Sequence, residues 1–170
     1  MSLFSTKVRY ALRLVIEVSR TPDPSLPISL EEISRRTGIS RRYLDLLAVP
    51  LRSAGLVRSR RGPRGGYELG KPREEITLYD VVEAAMGPPA VSDCVAQPGL
   101  CDRSGYCECR LVFELATAQL KATLSGITLA DMSDVRSLVR VRDDLFGLLE
   151  ESGDQPASHR EVVPLRPKSA

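Results

Sequence analysis

The chain has 170 residues, of which 42% are hydrophobic and 27% charged, with four cysteines, one histidine and a net charge of +2. Such a chain can bury one good core, and its ordinary balance of apolar and charged residues excludes a disordered or membrane protein. No apolar run approaches the roughly 20 residues of a membrane span, and the first segment lacks the continuous apolar region of a secretory signal. We therefore expect a cytoplasmic protein.

The charge is divided unequally along the chain. Residues 1–75 carry 15 Lys and Arg against 8 Asp and Glu, a balance of +7, whereas residues 76–170 carry 9 against 14, a balance of −5. A basic portion beside an acidic one is expected when only the first meets polyanionic phosphate. The N-terminal portion is therefore the candidate for binding nucleic acid.

Three short helices are predicted within the first 55 residues. The first ends before a proline cluster that prevents its continuation. Ser29 has capping-box spacing to Glu32 and begins the second helix, which ends at Gly38, and Ser40 is placed to cap the third. Helix, glycine turn and helix is the spacing of a helix-turn-helix motif. Pro50 is expected to kink the second helix of this motif or to end its regular part.

A β-hairpin and a further helix follow the helix-turn-helix. Two short extended segments, 55–61 and 67–69, flank a loop rich in glycine and arginine, which predicts the hairpin wing of a winged helix-turn-helix. Thr77 is placed to cap a helix that Gly87 and two prolines stop. The core of a small winged-helix domain is expected to close at this point.

The C-terminal portion is predicted to hold two more helices. A long helix carries a stripe at coiled-coil-like spacing and is broken at Gly126. The stripe consists of Phe113, Thr117, Leu120 and Leu124. Another helix is expected over residues 133–150, and the remainder has the composition of a disordered tail.

The helix-turn-helix and the wing supply the candidate DNA contacts. The second helix of such a motif enters the major groove, where arginine can donate two hydrogen bonds to guanine and aspartate can accept one from cytosine. Arginines of the wing can neutralise phosphates or enter the minor groove. The candidate DNA-binding residues are Ser40, Arg41, Arg42, Tyr43 and Asp45 around the third helix, and Arg58, Arg60, Arg61 and Arg64 around the wing.

All four cysteines lie within 16 residues, as Cys94, Cys101, Cys107 and Cys109. Structural disulfides are rare in the cytoplasm, so clustered thiols indicate metal or redox chemistry. Thiolates are the ligands that iron-sulfur clusters and zinc prefer, and the absence of paired C-x2-C knuckles disfavours zinc. The four cysteines are therefore candidate metal ligands, with an iron-sulfur cluster as the expected cofactor.

The chain resembles the Rrf2 (Rrf-two) family of winged-helix regulators, which includes the iron-sulfur assembly regulator and the nitric-oxide-sensing repressor of bacteria. The resemblance is carried by residues 5–12, 28–33, 38–40, 43–44, 51–52, 55–57, 61–67 and 76–82, and by the spaced cysteines. The R-G-x-x-G-G-Y wing at 61–67 combined with those cysteines is highly specific. The resemblance covers the chain from its N-terminus to about Met132.

This resemblance implies a homodimer joined through the long helix, and it implies that the first three cysteines are cluster ligands. The chain departs from the family in having six residues rather than five in the first cysteine gap. It also has Arg110 where one branch carries a histidine ligand, and Arg9 where another carries an aspartate ligand. Cys109 is then the candidate fourth ligand, and both 2Fe-2S and 4Fe-4S clusters stay open.

The expected fold is mainly α-helical with a small β-hairpin wing, a winged helix-turn-helix domain followed by a long dimerisation helix. We expect the DNA-binding domain over residues 1–90, a cysteine-rich cluster-binding loop over 91–110, and the dimerisation and C-terminal helices over 111–151. A disordered tail is expected over 152–170.

The expected function is that of a transcriptional repressor whose operator binding is controlled by the cluster in response to iron, redox state or nitric oxide. The alternatives are a thiol-redox or cofactor-free repressor of the same fold and, more distantly, an iron-sulfur electron carrier. No enzyme is expected, because P-loop, dinucleotide and nucleophile-elbow motifs are absent and His159 lies in the predicted tail. The expected partners are double-stranded operator DNA and a second copy of the chain, with no membrane and no small-molecule substrate.

Overall fold

The computed structural model describes residues 4–21, 26–63, 65–103 and 105–133, and positions 139, 141–143 and 147 beyond them. The predicted tail, most of the predicted helix over 133–150, and Arg64 lie outside the described residues. The helices and strands of the described structure are α1 (Thr6–Ser19), α2 (Leu30–Thr37), α3 (Arg41–Ser53), β1 (Val57–Arg60), β2 (Gly66–Leu69), α4 (Leu78–Met86), α5 (Asp93–Ala96), α6 (Glu108–Ser125) and α7 (Leu129–Ser133). The predicted mainly helical fold with one hairpin is confirmed.

The hydrophobic core lies where α1, α3 and α4 pack together, with α2 and the hairpin at its edge. Each helix contributes an apolar stripe at helical spacing and keeps its polar face outward. The fully buried side chains include Leu14 of α1, Ile33 of α2, Leu44 and Leu51 of α3, and Val81 of α4. This core holds the helix-turn-helix, α2 and α3, rigidly against α1.

The turn between α2 and α3 has the local structure that the sequence predicts. Gly38 ends α2 in the left-handed conformation, with φ +72°, which a residue without a Cβ adopts at no steric cost. The Ser40 Oγ then accepts a hydrogen bond from the Tyr43 N–H at 3.4 Å and caps α3. The helix-turn-helix prediction is confirmed.

The capping box predicted at the start of α2 is only half formed. The Ser29 Oγ accepts a hydrogen bond from the Glu32 N–H at 3.1 Å. The Glu32 carboxylate does not return to Ser29 but accepts hydrogen bonds from Arg35 at 2.7 and 2.9 Å and from Arg36 at 2.7 Å. Two guanidinium groups one turn away are stronger donors for a carboxylate than a single neutral amide.

Helix α3 continues past Pro50 to Ser53, so of the two expected outcomes, a kink or an end of the regular part, the second is wrong. A proline inside a helix removes the N–H that would bond to the carbonyl four residues earlier. Here that carbonyl belongs to Leu46, which is exposed, so water can solvate it. The burial of Leu51 in the core meanwhile holds the last turn in place.

The hairpin is attached to the start of the helix-turn-helix. Strand β1 pairs antiparallel with β2, and Arg58 lies opposite Glu68. Ile28 extends the hairpin by a bridge, since the Ile28 and Tyr67 backbones exchange hydrogen bonds of 2.9 and 2.8 Å. A Cβ atom on Gly66 would overlap the Ile28 carbonyl group, so this contact requires glycine.

Beyond α6 the chain returns to the winged-helix core, which the sequence pattern does not predict. Leu129 of α7 is fully buried in the same cluster as α1 and α4. The Leu78 N–H donates to the Ile127 carbonyl, and the Leu129 N–H donates to the Ile76 carbonyl, both at 2.9 Å. Burial of one leucine side chain is worth about 1.5–3 kcal/mol, so α7 contributes to the stability of this domain.

The long helix α6 begins at Glu108 and therefore includes Cys109 in its first turn. The stripe predicted to have coiled-coil spacing is half-buried on the side of α6 that packs on α4, where the Lys121 Nζ lies 5.0 Å from the Tyr79 ring centroid. The opposite side exposes Leu111, Val112 and Leu115 by 67%, 64% and 62%. None of the described helices is long and apolar enough to cross a membrane.

Candidate DNA-binding surface and cysteine segment

The first turns of α3 present charged side chains to solvent. Arg41 lies 3.8 Å from Glu31 of α2, and both side chains are exposed. Arg42 and Asp45 are also exposed, and within the described part of the chain neither forms a hydrogen bond or an ion pair. Their hydrogen-bonding groups are consequently available for a partner outside the protein.

Two of the predicted contact residues are used within the protein. The Tyr43 ring is half-buried and packs edge-on against Tyr10 of α1, with ring centroids 5.9 Å apart. The Ser40 hydroxyl is engaged in capping α3. Tyr43 thus fixes the orientation of α3 against α1, whereas Arg41, Arg42 and Asp45 project from it.

The outward face of α3 also holds two apolar residues that are absent from the candidates predicted from sequence. Leu46 and Val49 are 62% and 52% exposed. They follow Arg42 at spacings of four and seven, which places all three on one side of a helix. This helical spacing from Arg42 could have identified both residues as part of the candidate DNA-binding side of α3. Apolar residues in a helix are ordinarily assigned to the core, so sequence reasoning missed them.

The wing presents three described arginines, all exposed. Arg58 and Arg60 lie 3.5 and 3.8 Å from the Glu68 carboxylate on the neighbouring strand. Arg61 is exposed and has no hydrogen-bond or ion-pair partner among the described residues. Glu68 therefore offsets part of the positive charge that the hairpin carries.

The α3 face and the wing border one cleft of about 270 Å³. Its lining includes Glu31 from α2, Arg41 and Asp45 from α3, and Ser59, Arg60 and Tyr67 from the hairpin. The structure thus brings residues from both predicted groups to one surface.

The charges of α2 tie it to α1. Hydrogen bonds from Arg35 and then Arg36 hold the pKa of the Glu32 carboxyl below its ordinary value. The same contact with Glu32 raises the pKa of Arg36. Arg36 also lies 3.6 Å from Glu17 of α1, so a single guanidinium joins the two helices.

The four cysteines are free thiols between α4 and the first turn of α6. Cys94 lies in the short helix α5, with its Sγ 3.3 Å from the Ser92 Oγ. Cys101 and Cys107 are half-buried and Cys109 is exposed. Within the described residues, no three His, Cys, Asp or Glu side chains are placed to hold a metal ion. The donor chemistry is that of an iron-sulfur site, whereas the described thiols are not gathered around one point.

Comparison with known proteins places the chain in a family. A family model, Rrf2, described as an iron-dependent transcriptional regulator, matches residues 4–135. The HTH-type transcriptional regulator IscR of Cronobacter sakazakii is 33% identical over 139 residues, covering 82% of this chain and 85% of that protein. The solved structure of CymR (YrzC), the global cysteine regulator of B. subtilis, matches with a TM-score of 0.64 and 32% identity, covering 78% of this chain and 97% of CymR. That of T. potens IscR matches with a TM-score of 0.61 and 26% identity, covering 91% and 93%.

The family model extends over more than half of the chain, and its match includes the helix-turn-helix, the wing, the cysteine segment and α6. The related proteins are transcriptional regulators, and the family is not enzymatic, as expected from the sequence. The chain therefore belongs to the Rrf2 family of transcriptional regulators.

Proposed function

We propose that this regulator is a repressor that binds duplex DNA with α3 in the major groove and the hairpin wing against the phosphate backbone. The observation that carries the proposal is the cleft that Arg41 and Asp45 of α3 share with Arg60 of the wing. Asp45, and Arg42 on the same helix, are exposed and have no partner in the described structure. A rigid helix that presents unpaired donors and acceptors can read base edges, and flexible cations beside it can neutralise phosphates.

The salt dependence of binding tests this arrangement. An operator is first selected from random duplexes, and its dissociation constant is then measured by fluorescence anisotropy across a salt series. The plot of log affinity against log salt has a negative slope. Arg61→Ala should make this slope shallower by roughly one unit for each phosphate that is no longer neutralised, thus by roughly two units for a dimer. Arg142→Ala removes an exposed arginine far along the chain and is the charge-matched control. Equal slopes for both variants would show that Arg61 neutralises no phosphate and would contradict this placement of the wing.

We further propose that the regulator is a homodimer joined through the exposed side of α6. Leu111, Leu115, Ala118 and Ala122 recur at spacings of four and three on that side, and all are exposed. None of the described residues of α6 is buried, which leaves this apolar face available to a second copy. Two recognition helices related by a two-fold axis would match a pseudo-palindromic operator.

Sedimentation velocity tests the dimer. Leu111→Lys with Leu115→Lys should convert the dimer to a monomer, because two charges per subunit would be desolvated at the interface. Gln119→Lys with Thr123→Lys adds the same charge to exposed positions on α6 with less apolar surface and serves as the control. A wild-type chain that sediments as a monomer at micromolar concentration contradicts this part of the proposal.

We also propose that the cysteine segment is the sensor, with an iron-sulfur cluster as its cofactor. The support is chemical: four free thiols lie close in sequence, and the matching family model is described as iron-dependent. A cluster held there would supply a redox-active centre that responds to iron supply, oxidants or nitric oxide. Cys94, Cys101 and Cys107 are the proposed ligands, and Cys109 is the proposed fourth.

The second candidate is a thiol regulator in which the cysteines themselves are oxidised. It is favoured by the placement of the described thiols, which does not form a metal site, and by the similarity to CymR, a global cysteine regulator. Anaerobic purification separates the two candidates through iron content, sulfide content and the visible spectrum. Stoichiometric iron that Cys101→Ser removes supports the cluster. Colourless protein whose thiols disappear on mild oxidation supports the thiol regulator.

A further inference from the structure

The outward face of α3 is apolar at its centre. Leu46 and Val49 expose 62% and 52% of their surface, although α3 already buries Leu44, Leu47 and Leu51 on its inner side. Single exposed apolar residues are common and need no explanation. Two neighbouring apolar residues on the face proposed to enter the major groove do need an explanation.

Helix geometry places these two residues opposite the core. With about 100° between successive residues, Arg42, Leu46 and Val49 project within about 60° of one another, directly away from the buried stripe. Asp45 lies beside them on the same side. The two side chains therefore form one short apolar strip between the charged residues of the first turn and the end of α3.

The charged residues around the apolar strip indicate which kind of partner covers it. Arg41 and Arg42 lie on the same helix, and Arg60 of the wing lines the cleft that Arg41 and Asp45 of α3 also line. Cations next to an apolar strip suit a partner that is anionic at its edges and carries apolar groups at its centre. The major groove has this character, with phosphates along its rims and the 5-methyl group of thymine on its floor.

We propose that Leu46 and Val49 contact thymine methyl groups in the operator, so that the base pairs next to those read by Arg42 and Asp45 are A·T pairs with thymine facing α3. This inference rests on the proposed DNA binding and adds the base that the centre of α3 selects. It also predicts that affinity depends on a methyl group rather than on a hydrogen bond at these pairs, because neither side chain has a polar atom.

Deoxyuridine is the matched probe, since it differs from thymidine only by that methyl group. Each thymine of the selected operator is replaced in turn by deoxyuridine, symmetrically in both half-sites. The affinity of the wild-type protein should fall about fourfold for each buried methyl group that is removed, at one or two positions only. Leu46→Ala and Val49→Ala should each bind the unmodified operator more weakly and lose the response to deoxyuridine at one of these positions.

The controls separate this inference from the proposed function. Leu26→Ala truncates another exposed leucine, outside α3, and should keep the full response to deoxyuridine. Both α3 variants replace exposed side chains, so their thermal unfolding should match that of the wild type.

Specific, salt-sensitive binding that is equal on thymine and deoxyuridine operators would overturn the inference and leave the proposed function intact. A response to deoxyuridine that both α3 variants retain would also overturn it. Absence of any sequence-specific DNA binding would refute the proposed function itself.

Discussion

Thr77 and Thr128 lie opposite each other in an isolated antiparallel bridge that ties the start of α4 to the start of α7. Both residues belong to copies of the sequence I-T-L-x-D, at 76–80 and 127–131. In each copy the aspartate Oδ2 accepts a hydrogen bond from the threonine N–H, at 2.8 Å in the first and 3.0 Å in the second. We call these two segments the clasp. It closes the part of the chain that contains the cysteines and α6.

Breaking the clasp should destabilise the winged-helix domain without touching the DNA-binding surface. Thr128→Ala removes a cap at the start of α7 and should lower the free energy of unfolding by about 1 kcal/mol. Urea denaturation measures this as a lower midpoint with an unchanged slope. Thr123→Ala is the control, because the Thr123 hydroxyl bonds only to the Gln119 carbonyl on the exposed side of α6. Equal midpoints for the two variants would contradict a structural role for the clasp.

Gly66→Ala should detach the wing from the start of α2. The new Cβ would overlap the Ile28 carbonyl group, so the two hydrogen bonds between Ile28 and Tyr67 cannot both persist. We expect a decrease of about 2 kcal/mol in the free energy of unfolding, as for other buried polar groups left without partners. Gly99→Ala places the same methyl group in open space and should change stability by less than about 0.5 kcal/mol. A neutral Gly66→Ala variant would show that the close approach is not required.

Glu68→Gln should strengthen DNA binding. The Glu68 carboxylate lies 3.5 Å from Arg58 and 3.8 Å from Arg60, and both pairs must weaken before those arginines contact phosphate. Partly exposed ion pairs of this kind are worth roughly 0.2–1 kcal/mol each, so relief of both pairs in one subunit corresponds to about a two- to thirtyfold gain in affinity. The gain should appear on operator and random duplexes alike and should diminish at high salt. Weaker binding would instead indicate that Glu68 orients the arginines.

Arg42→Ala should relax sequence choice more than it weakens binding in general. The Arg42 guanidinium is exposed and has no partner in the described structure, which leaves its donor pair for a guanine edge. The binding free energy should weaken by about 1–3 kcal/mol on the selected operator and by much less on random DNA of the same length. Equal weakening on both duplexes would assign Arg42 to phosphate rather than to a base.

The Glu32 contact should make stability depend on pH in the acid range. Because hydrogen bonds from Arg35 and Arg36 lower the pKa of Glu32 in the folded protein, its contribution is complete above the ordinary pKa of a glutamate near 4.5. The contribution disappears as the pH falls through the lowered value. The difference in unfolding free energy between wild type and Glu32→Gln should therefore shrink on acidification. In an R35A/R36A background the same substitution should show no such dependence.

Local features of this protein could be predicted from the sequence because they depend on near neighbours. The Gly38 turn, the Ser40 cap and the hairpin around residues 62–65 each follow from residues within a few positions of one another. The half-formed capping box at Ser29 shows the limit of this reasoning. There the spacing is satisfied, but Glu32 has stronger partners in Arg35 and Arg36.

The positions of the helices relative to one another could not be predicted from the sequence, because they depend on contacts between residues that are distant along the chain. Helix α6 carries two apolar stripes, one from Phe113 to Leu124 and one from Leu111 to Ala122. Only the packing of α6 on α4 decides which stripe is covered. The burial of Leu129 depends on the same packing, which returns the chain to the core after α6. Caps, turns and ligand types are local properties, so the winged helix-turn-helix and the composition of the cysteine segment follow from the sequence alone. Which faces of α3 and α6 remain exposed depends on tertiary packing, because a helix is amphipathic only relative to the elements that pack against it.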